Sequence, residues 1–150
     1  MPDVEVPHAS RIFASPMKVL VVEDNPISRK LTRVALEADG FTVVEAQDGQ
    51  SAVASVGRDL PDLILQDILL PDIDGFDLVR RLHRLPGAEK IPILALTGLI
   101  TKGDEAKLPQ ANFADYLFKP VEPSFLINTV RAHLAASQTS VDMPGQGKVV

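Results

Sequence analysis

Short apolar runs alternate with stretches of helical periodicity through the middle of the chain. Most runs are continuous rather than alternating, which is typical of strands buried on both faces of a sheet. The stretches between them repeat apolar residues at helical spacing, which is typical of amphipathic helices. The predicted strands are KVLVV at 18–22, FTVVE at 41–45, LILQ at 63–66, IPILAL at 91–96 and DYLF at 115–118.

Capping and helix-breaking residues mark the ends of the first predicted helix. Asn25 is a suitable N-cap, Pro26 suits the first turn, and Gly40 supplies the stop. The apolar residues that recur on one face of this helix are Ile27, Leu31, Val34 and Ala35.

Further helices are predicted at 50–56, from Asp74-Gly75 to just before Pro86, and after Pro123. The segment 101–112 is the least regular helix because Pro109 interrupts it. Strands and helices that alternate five times predict an α/β fold, a doubly wound five-stranded parallel sheet with helices on both faces. In such sheets the ligand site lies beyond the carboxyl ends of the strands.

The two ends of the chain differ from its middle. Residues 1–16 carry acids and prolines without an apolar centre, so we interpret them as a flexible leader and not a signal peptide. Residues 136–150 are mostly polar with Gly and Pro, so we expect a disordered tail or linker. The folded domain is therefore predicted at 17–135.

Composition narrows the function. The chain has 150 residues, 45% hydrophobic, and no Cys, which excludes disulfides and thiolate chemistry. A net charge of -5 argues against a nucleic-acid surface, which needs a basic face. No apolar run is long enough to span a membrane, and with no export signal the predicted location is the cytoplasm.

Polar residues that can bind a metal or take part in a reaction follow four of the five predicted strands. Glu23-Asp24, Asp67, Thr97 and Lys119 each come directly after an apolar run. Because the carboxyl ends of parallel strands share one edge, we expect these side chains to meet in one pocket. Clustered carboxylates favour a divalent cation, and Mg²⁺ suits a site that leaves room for a phosphate oxygen. A carboxylate beside a metal and an ammonium group is suited to phosphoryl transfer.

Four strings together resemble the receiver domains of two-component signalling, in order and at similar spacing. The resemblance covers residues from about Met17 to Leu134 and implies a flavodoxin-like three-layer sandwich. The strings are KVLVVEDN, PDLILQDILLPDIDG, LALTG and ADYLFKPV.

The resemblance implies a role for each site residue. Asp67 would be the phosphoacceptor, and Thr97 and Lys119 would contact the phosphoryl group. Asp24 would bind Mg²⁺ directly, Glu23 would bind it through water, and Leu69 would lend its backbone carbonyl. Tyr116 would be an aromatic switch residue that turns inward as Thr97 moves. The Lys119–Pro120 peptide is expected to be cis.

The function implied is a phosphorylation switch rather than an enzyme, with only self-phosphotransfer and slow self-dephosphorylation. The donor would be a histidine kinase or a histidine phosphotransfer protein, and output would be contact with another protein. No nucleic acid or membrane contact is expected of this domain. A homodimer stays an alternative, as do a stand-alone protein and a part of a hybrid kinase or longer regulator.

Two other functions stay open at this point. Asp72 and Asp74 form an Asp-x-Asp pair that resembles the haloacid-dehalogenase phosphatases, although Asp74 also suits a helix N-cap. The chain would also fit a pseudo-receiver, an interaction module that is never phosphorylated.

Three residues depart from the expected pattern. Gln66 is polar where a buried strand should be apolar, and its amide requires partners. Leu69 and Leu99 are bulky and apolar near Asp67 and Thr97, which suggests that they exclude water and slow loss of the phosphoryl group.

Overall fold

The computed structural model describes residues 16–98 and 102–142, and strands and helices alternate along them. A 3-10 turn at Leu108–Gln110 follows the fourth helix. The strands are β1 Lys18–Val22, β2 Thr42–Ala46, β3 Leu63–Gln66, β4 Ile93–Thr97 and β5 Asp115–Phe118. The helices are α1 Pro26–Ala38, α2 Gly49–Arg58, α3 Gly75–His83, α4 Lys102–Lys107 and α5 Pro123–Asp142.

The described strands form one parallel sheet in the order β2-β1-β3-β4-β5. The predicted doubly wound α/β fold is therefore confirmed. The strand order reverses between β1 and β3, where the chain winds first to one side and then to the other. Residues that follow these two strands lie at the switch point, where such sheets bind ligands.

Two apolar clusters cover the faces of the sheet and make three layers. On one face, apolar side chains of β1, β3 and β4 pack against α2 and α3. The α3 residues in this cluster include Phe76, Leu78 and Leu82. On the other face, alternate strand residues pack against α1 and α5 through Leu36 and Val130. Both faces of the central strands are buried, which explains their continuous apolar runs.

Local chemistry fixes the ends of α1 as predicted. The Asn25 side chain accepts hydrogen bonds from the Ile27 and Ser28 amides, each at 2.9 Å, and Pro26 opens the helix. Gly40 ends it with φ +95°, a left-handed conformation that glycine adopts without strain. The helix therefore starts two residues after Asp24 and holds that residue at the mouth of the switch point.

The α1 periodicity does not decide which residues are buried. Leu36 is the buried residue of the helix, whereas Ile27, Leu31 and Val34 are 71%, 66% and 49% exposed. A predicted amphipathic face thus leaves much of its apolar surface uncovered by the described residues. Large uncovered apolar surface is common where proteins bind partners.

The predicted domain boundary at residue 135 needs a correction. Helix α5 continues to Asp142, so residues 136–142 are helical and not disordered. Alanine, serine and glutamine in this stretch are compatible with a helix, and their low apolar content hid it from the sequence pattern. The predicted leader, apart from Pro16, and the last eight residues lie outside the described residues, as does Leu99.

Candidate functional site

Three carboxylates meet at the switch point between β1 and β3. Each offers an oxygen, and these oxygens lie within 4.8 Å of one another. Glu23 and Asp67 are 2% and 5% exposed, whereas Asp24 is exposed at the mouth. The pairing of Val22 with Gln66 sets this arrangement, because it makes the next residue of each strand a neighbour. The Asp67 amide continues the ladder to the Val22 carbonyl at 2.9 Å.

Lys119 brings the single ammonium group that contacts this cluster among the described residues. Its Nζ donates to Asp67 Oδ2 at 2.9 Å and also to Glu23 Oε1. Its backbone amide donates to the Thr97 carbonyl at 2.8 Å, so β4 and β5 hold the lysine at the sheet edge. The Lys119–Pro120 peptide is cis, as expected.

Burial and charge pairing shift the pKa values of Glu23 and Lys119. Burial raises the pKa of Glu23 above its usual value, and the hydrogen bond from Lys119 opposes that effect only partly. Burial alone would lower the pKa of Lys119, but its hydrogen bonds to Glu23 and Asp67 outweigh burial and raise it. Lys119 therefore stays charged at neutral pH.

Backbone amides orient the two buried carboxylates. The Leu69 amide donates to Asp67 Oδ1 at 3.0 Å, and the Asn25 amide donates to Glu23 Oε2 at 3.1 Å. Asp67 therefore has one oxygen held by a backbone amide and the other by Lys119. The Leu69 carbonyl stays a predicted metal ligand.

Arg29 supports the β1–α1 loop, and the sequence reasoning missed it. Its Nη1 donates to the Glu23 carbonyl at 2.8 Å, and its Nε donates to Glu45 Oε1 at 2.9 Å. The guanidinium thus links α1 and β2 to the peptide between the two acids. A basic residue one turn into the helix after Asp24 was the available signal, but its partner on β2 is set by tertiary structure.

Thr97 and Tyr116 lie on the same sheet face, because Ala95 pairs with Tyr116 and Thr97 follows two positions later. The Thr97 hydroxyl is buried and has no hydrogen-bond partner among the described residues. The Tyr116 hydroxyl donates to the Leu108 carbonyl, and its ring packs edge-on against Phe113 with centroids 6.2 Å apart. Burial raises the pKa of Tyr116, so its hydroxyl keeps its proton. The switch role of this pair stays a prediction.

A match to a family model identifies the protein family to which this fold and its acid cluster belong. The model of the response regulator receiver domain matches residues 19–131, which include all seven predicted site residues. The chain belongs to the receiver domain family of two-component signalling. Members of this family are signalling phosphoacceptors and not conventional enzymes, and they interact with histidine kinases and downstream effectors.

Named receiver proteins resemble the chain over most of its length. The polar-differentiation response regulator DivK of Brucella anthropi is 34% identical, with 79% of this chain and 97% of DivK covered. The receiver domain of the sensor histidine kinase PA1611 of Pseudomonas aeruginosa is 32% identical with TM-score 0.75, covering 81% and 99% of the two chains. A CheY-like receiver domain protein of Methanospirillum hungatei is 25% identical with TM-score 0.78, covering 84% and 99%.

The receiver's acid cluster has the donor chemistry that Mg²⁺ prefers. The family binds Mg²⁺ in its acidic pocket, and the PA1611 structure carries a magnesium ion coordinated in its active-site cleft. In this chain Glu23, Asp24 and Asp67 each have a carboxylate oxygen close to the other two, two of these residues are buried, and hard oxygen atoms of this kind could hold the ion. The Lys119 ammonium group can neutralise only one of these three carboxylates, and the negative charge that remains favours a divalent cation. The residues present therefore fit the metal.

The second acid pair of the receiver has structural partners. Asp72 accepts the amides of Gly49 and Gln50, one on each carboxylate oxygen at 2.8 Å, and so caps the start of α2. Asp74 is the N-cap of α3 and accepts the Phe76 amide at 2.7 Å. These contacts support the capping interpretation over a phosphatase centre.

Within the described residues, no helix has the length and apolar content needed to cross a bilayer.

Proposed function

We propose that this receiver domain accepts a phosphoryl group on Asp67 from a phosphohistidine donor, in a reaction that depends on Mg²⁺. The observation that carries the proposal is the surroundings of the Asp67 carboxylate. It is buried, one oxygen accepts the Leu69 amide, and the other lies 2.9 Å from Lys119 Nζ, beside two further acids. A nucleophile fixed in this way does not need to reorganise when the donor arrives.

The transfer forms one P–O bond and breaks one P–N bond. A carboxylate oxygen of Asp67 attacks phosphorus, and the electron pair of the broken bond stays on the donor imidazole, which takes a proton from water. Asp24, Asp67 and the Leu69 carbonyl would hold Mg²⁺ directly and Glu23 would hold it through water, and the bound ion would neutralise charge on the phosphoryl oxygens. Lys119 would pair with a phosphoryl oxygen through the ammonium group that now contacts Asp67 and Glu23.

Thr97 is proposed to register the modification. Its hydroxyl is buried without a partner among the described residues, so a phosphoryl oxygen nearby would give it an acceptor. Tyr116 would follow on the same face by leaving the Leu108 carbonyl, which couples the site to the turn after α4. The changed surface would then be recognised by a downstream protein.

The experiment that tests the proposal is mass measurement after incubation with acetyl phosphate. We expect the mass of one phosphoryl group to be added when Mg²⁺ is present and no addition after chelation with EDTA. A pseudo-receiver would gain nothing in either condition. Turnover of a phosphate ester that survives Asp67→Asn but not Asp72→Asn would favour a phosphatase instead.

Magnesium alone should stabilise the fold. A ligand that binds only the native state at 100 times its Kd adds about 2.7 kcal/mol to the free energy of unfolding. We expect Mg²⁺ to raise the melting temperature of the wild type and much less that of Asp24→Asn. Asp62→Asn is a matched control, because Asp62 lies beyond the other end of β3 and binds the Lys18 amide. Equal stabilisation of wild type and Asp24→Asn would contradict the role of Asp24.

The exposed apolar face of α1 is proposed as the docking surface for the donor protein. Ile27, Leu31 and Val34 project from the helix that starts beside Asp24. A groove of about 590 Å³ lies between α1 and the start of α5, and its lining runs from Leu31 to Lys119. Uncovered apolar surface that reaches the site lysine would let a partner bind while its phosphohistidine faces Asp67.

Leu31→Asp tests this surface. We expect transfer from a protein donor that phosphorylates the wild type to slow by about tenfold, because a charge replaces a central apolar contact. Phosphorylation by acetyl phosphate should stay at the wild-type rate. Leu60→Asp is the control, since Leu60 is also exposed but follows α2 at the opposite end of the sheet. Equal slowing with both donors would indicate damage to the site rather than to docking.

A further inference from the structure

Gln66 is a fully buried amide at the last position of β3, directly before the phosphoacceptor. Its exposure is 0%, and it pairs in the sheet with Val22 on one side and Ala95 on the other. Its Nε2 donates to the Gly75 carbonyl at 2.9 Å and to the Asp67 carbonyl at 3.3 Å. Its Oε1 has no hydrogen-bond partner among the described residues. Only the donor end of the amide is therefore used.

The two acceptors of Gln66 lie at the two ends of the β3–α3 loop. The chain crosses close to itself where the two ends of this loop meet, and there the Gly75 amide donates to the Ile68 carbonyl at 3.0 Å. A Cβ atom on Gly75 would lie 2.5 Å from Ile68 Cα, so the two backbone segments touch. Leu69 and Asp74 form a bridge just inside this crossing. Gln66 thus lies behind a closed loop that holds the Leu69 amide against Asp67.

Gln66 is an unfavourable choice for stability alone. A buried amide oxygen without a donor destabilises a fold, whereas methionine has a similar length and no such requirement. The Gly75 carbonyl also lies in the first turn of α3, where the amide four residues later can donate a hydrogen bond to it without Gln66. Residues that lower stability without a structural gain concentrate at functional sites.

We propose that Gln66 is a positioning residue for the phosphoacceptor. Its amide fixes the Asp67 carbonyl and the first turn of α3, and this keeps the Asp67 carboxylate turned toward Glu23, Asp24 and Lys119. Gln66 contacts neither metal nor phosphoryl group and acts through the Asp67 backbone. The inference rests on the proposed function and adds a residue to it.

Gln66→Met separates this role from a structural one. We expect a melting temperature equal to or above that of the wild type, because the unpaired oxygen is removed. We expect Mg²⁺ to bind about tenfold more weakly by calorimetry, with a similar loss in phosphorylation rate from acetyl phosphate, as for other residues that orient a metal ligand. Gln66→Leu is the second apolar variant and decides the question if the methionine variant folds poorly.

Ile64→Val is the matched control on the same strand and face. It removes one buried methylene-sized group, so it should lower the melting temperature while Mg²⁺ affinity stays at the wild-type value. A Gln66 variant that melts lower but binds Mg²⁺ like the wild type would overturn the inference. If the wild type itself takes up no phosphoryl group, the proposed function fails; if it does and the variants match it, only the role of Gln66 fails.

Discussion

Asp67→Asn is expected to take up no phosphoryl group from acetyl phosphate with Mg²⁺ present. An amide oxygen carries no negative charge and cannot form the acyl phosphate that a carboxylate forms. The substitution keeps the size of the side chain and an oxygen that can accept the Leu69 amide. The loss should therefore be complete and should reflect chemistry rather than misfolding. Intact mass and peptide mapping of the wild type and the variant measure it.

The stability of the same variant checks that interpretation. Burial is the main cause of the raised pKa of Glu23, and the nearby charge on Asp67 raises it further, because the two carboxylates repel each other. Removing one charge should leave the melting temperature without Mg²⁺ unchanged or higher. Asp62→Asn, at the amino end of β3, should be phosphorylated like the wild type. A phosphoryl adduct on Asp67→Asn would assign the acceptor to another residue and refute the proposal.

Lys119→Met is expected to slow phosphorylation by about 100-fold without weakening Mg²⁺ binding. Removing one preorganised donor from a charge-stabilising site costs roughly that factor in rate. The metal should bind at least as tightly, because the ammonium group that competes for Asp67 Oδ2 and Glu23 Oε1 is gone. Rate measurements with acetyl phosphate and calorimetric Mg²⁺ titration give the two quantities separately.

The stability of Lys119→Met should depend on Mg²⁺ more than that of the wild type. Glu23 is 2% exposed and loses its cationic partner, and a buried charge without a partner is destabilising. Added Mg²⁺ should restore the melting temperature. Lys18→Met is the control, since Lys18 also pairs with an acid, Asp59, at the far end of β1. A variant that is phosphorylated at the wild-type rate, or one that loses Mg²⁺ affinity, would contradict the role of Lys119.

Local sequence predicted the elements because their signals are local. The bounds of β1, β3 and β5 match their apolar runs, while β2 and β4 are shifted by one or two residues. Asn25 and Gly40 act within a few residues of their own positions, as caps do. The break at Pro109 also appears, as the 3-10 turn that follows α4. The prediction for the end of α5 was wrong, because a polar helix that continues past its packed turns has no apolar repeat.

One topological rule made it possible to predict the site from these elements. Parallel strands end at a common edge, so the residues that follow four apolar runs were expected together. The structure brings together Glu23, Asp24, Asp67 and Lys119, although Lys119 and Glu23 are 96 residues apart. Thr97 lies at the same edge with a buried hydroxyl. The roles implied for them by the family stay predictions until the adduct is measured.

The α/β fold, the strand ends and the residue types at the site could all be predicted from local patterns along the chain. The partners of side chains that bond across the chain became known from the packing of the folded domain. Asp72 belongs to the Asp-x-Asp pair that left a phosphatase open as an alternative, and packing brings the start of α2, 23 residues earlier, onto both of its oxygens. Gln66 and the apolar face of α1 were likewise ambiguous, because periodicity gives the face of a residue and not what covers it. Such contacts depend on how whole elements pack, which no short window of sequence contains.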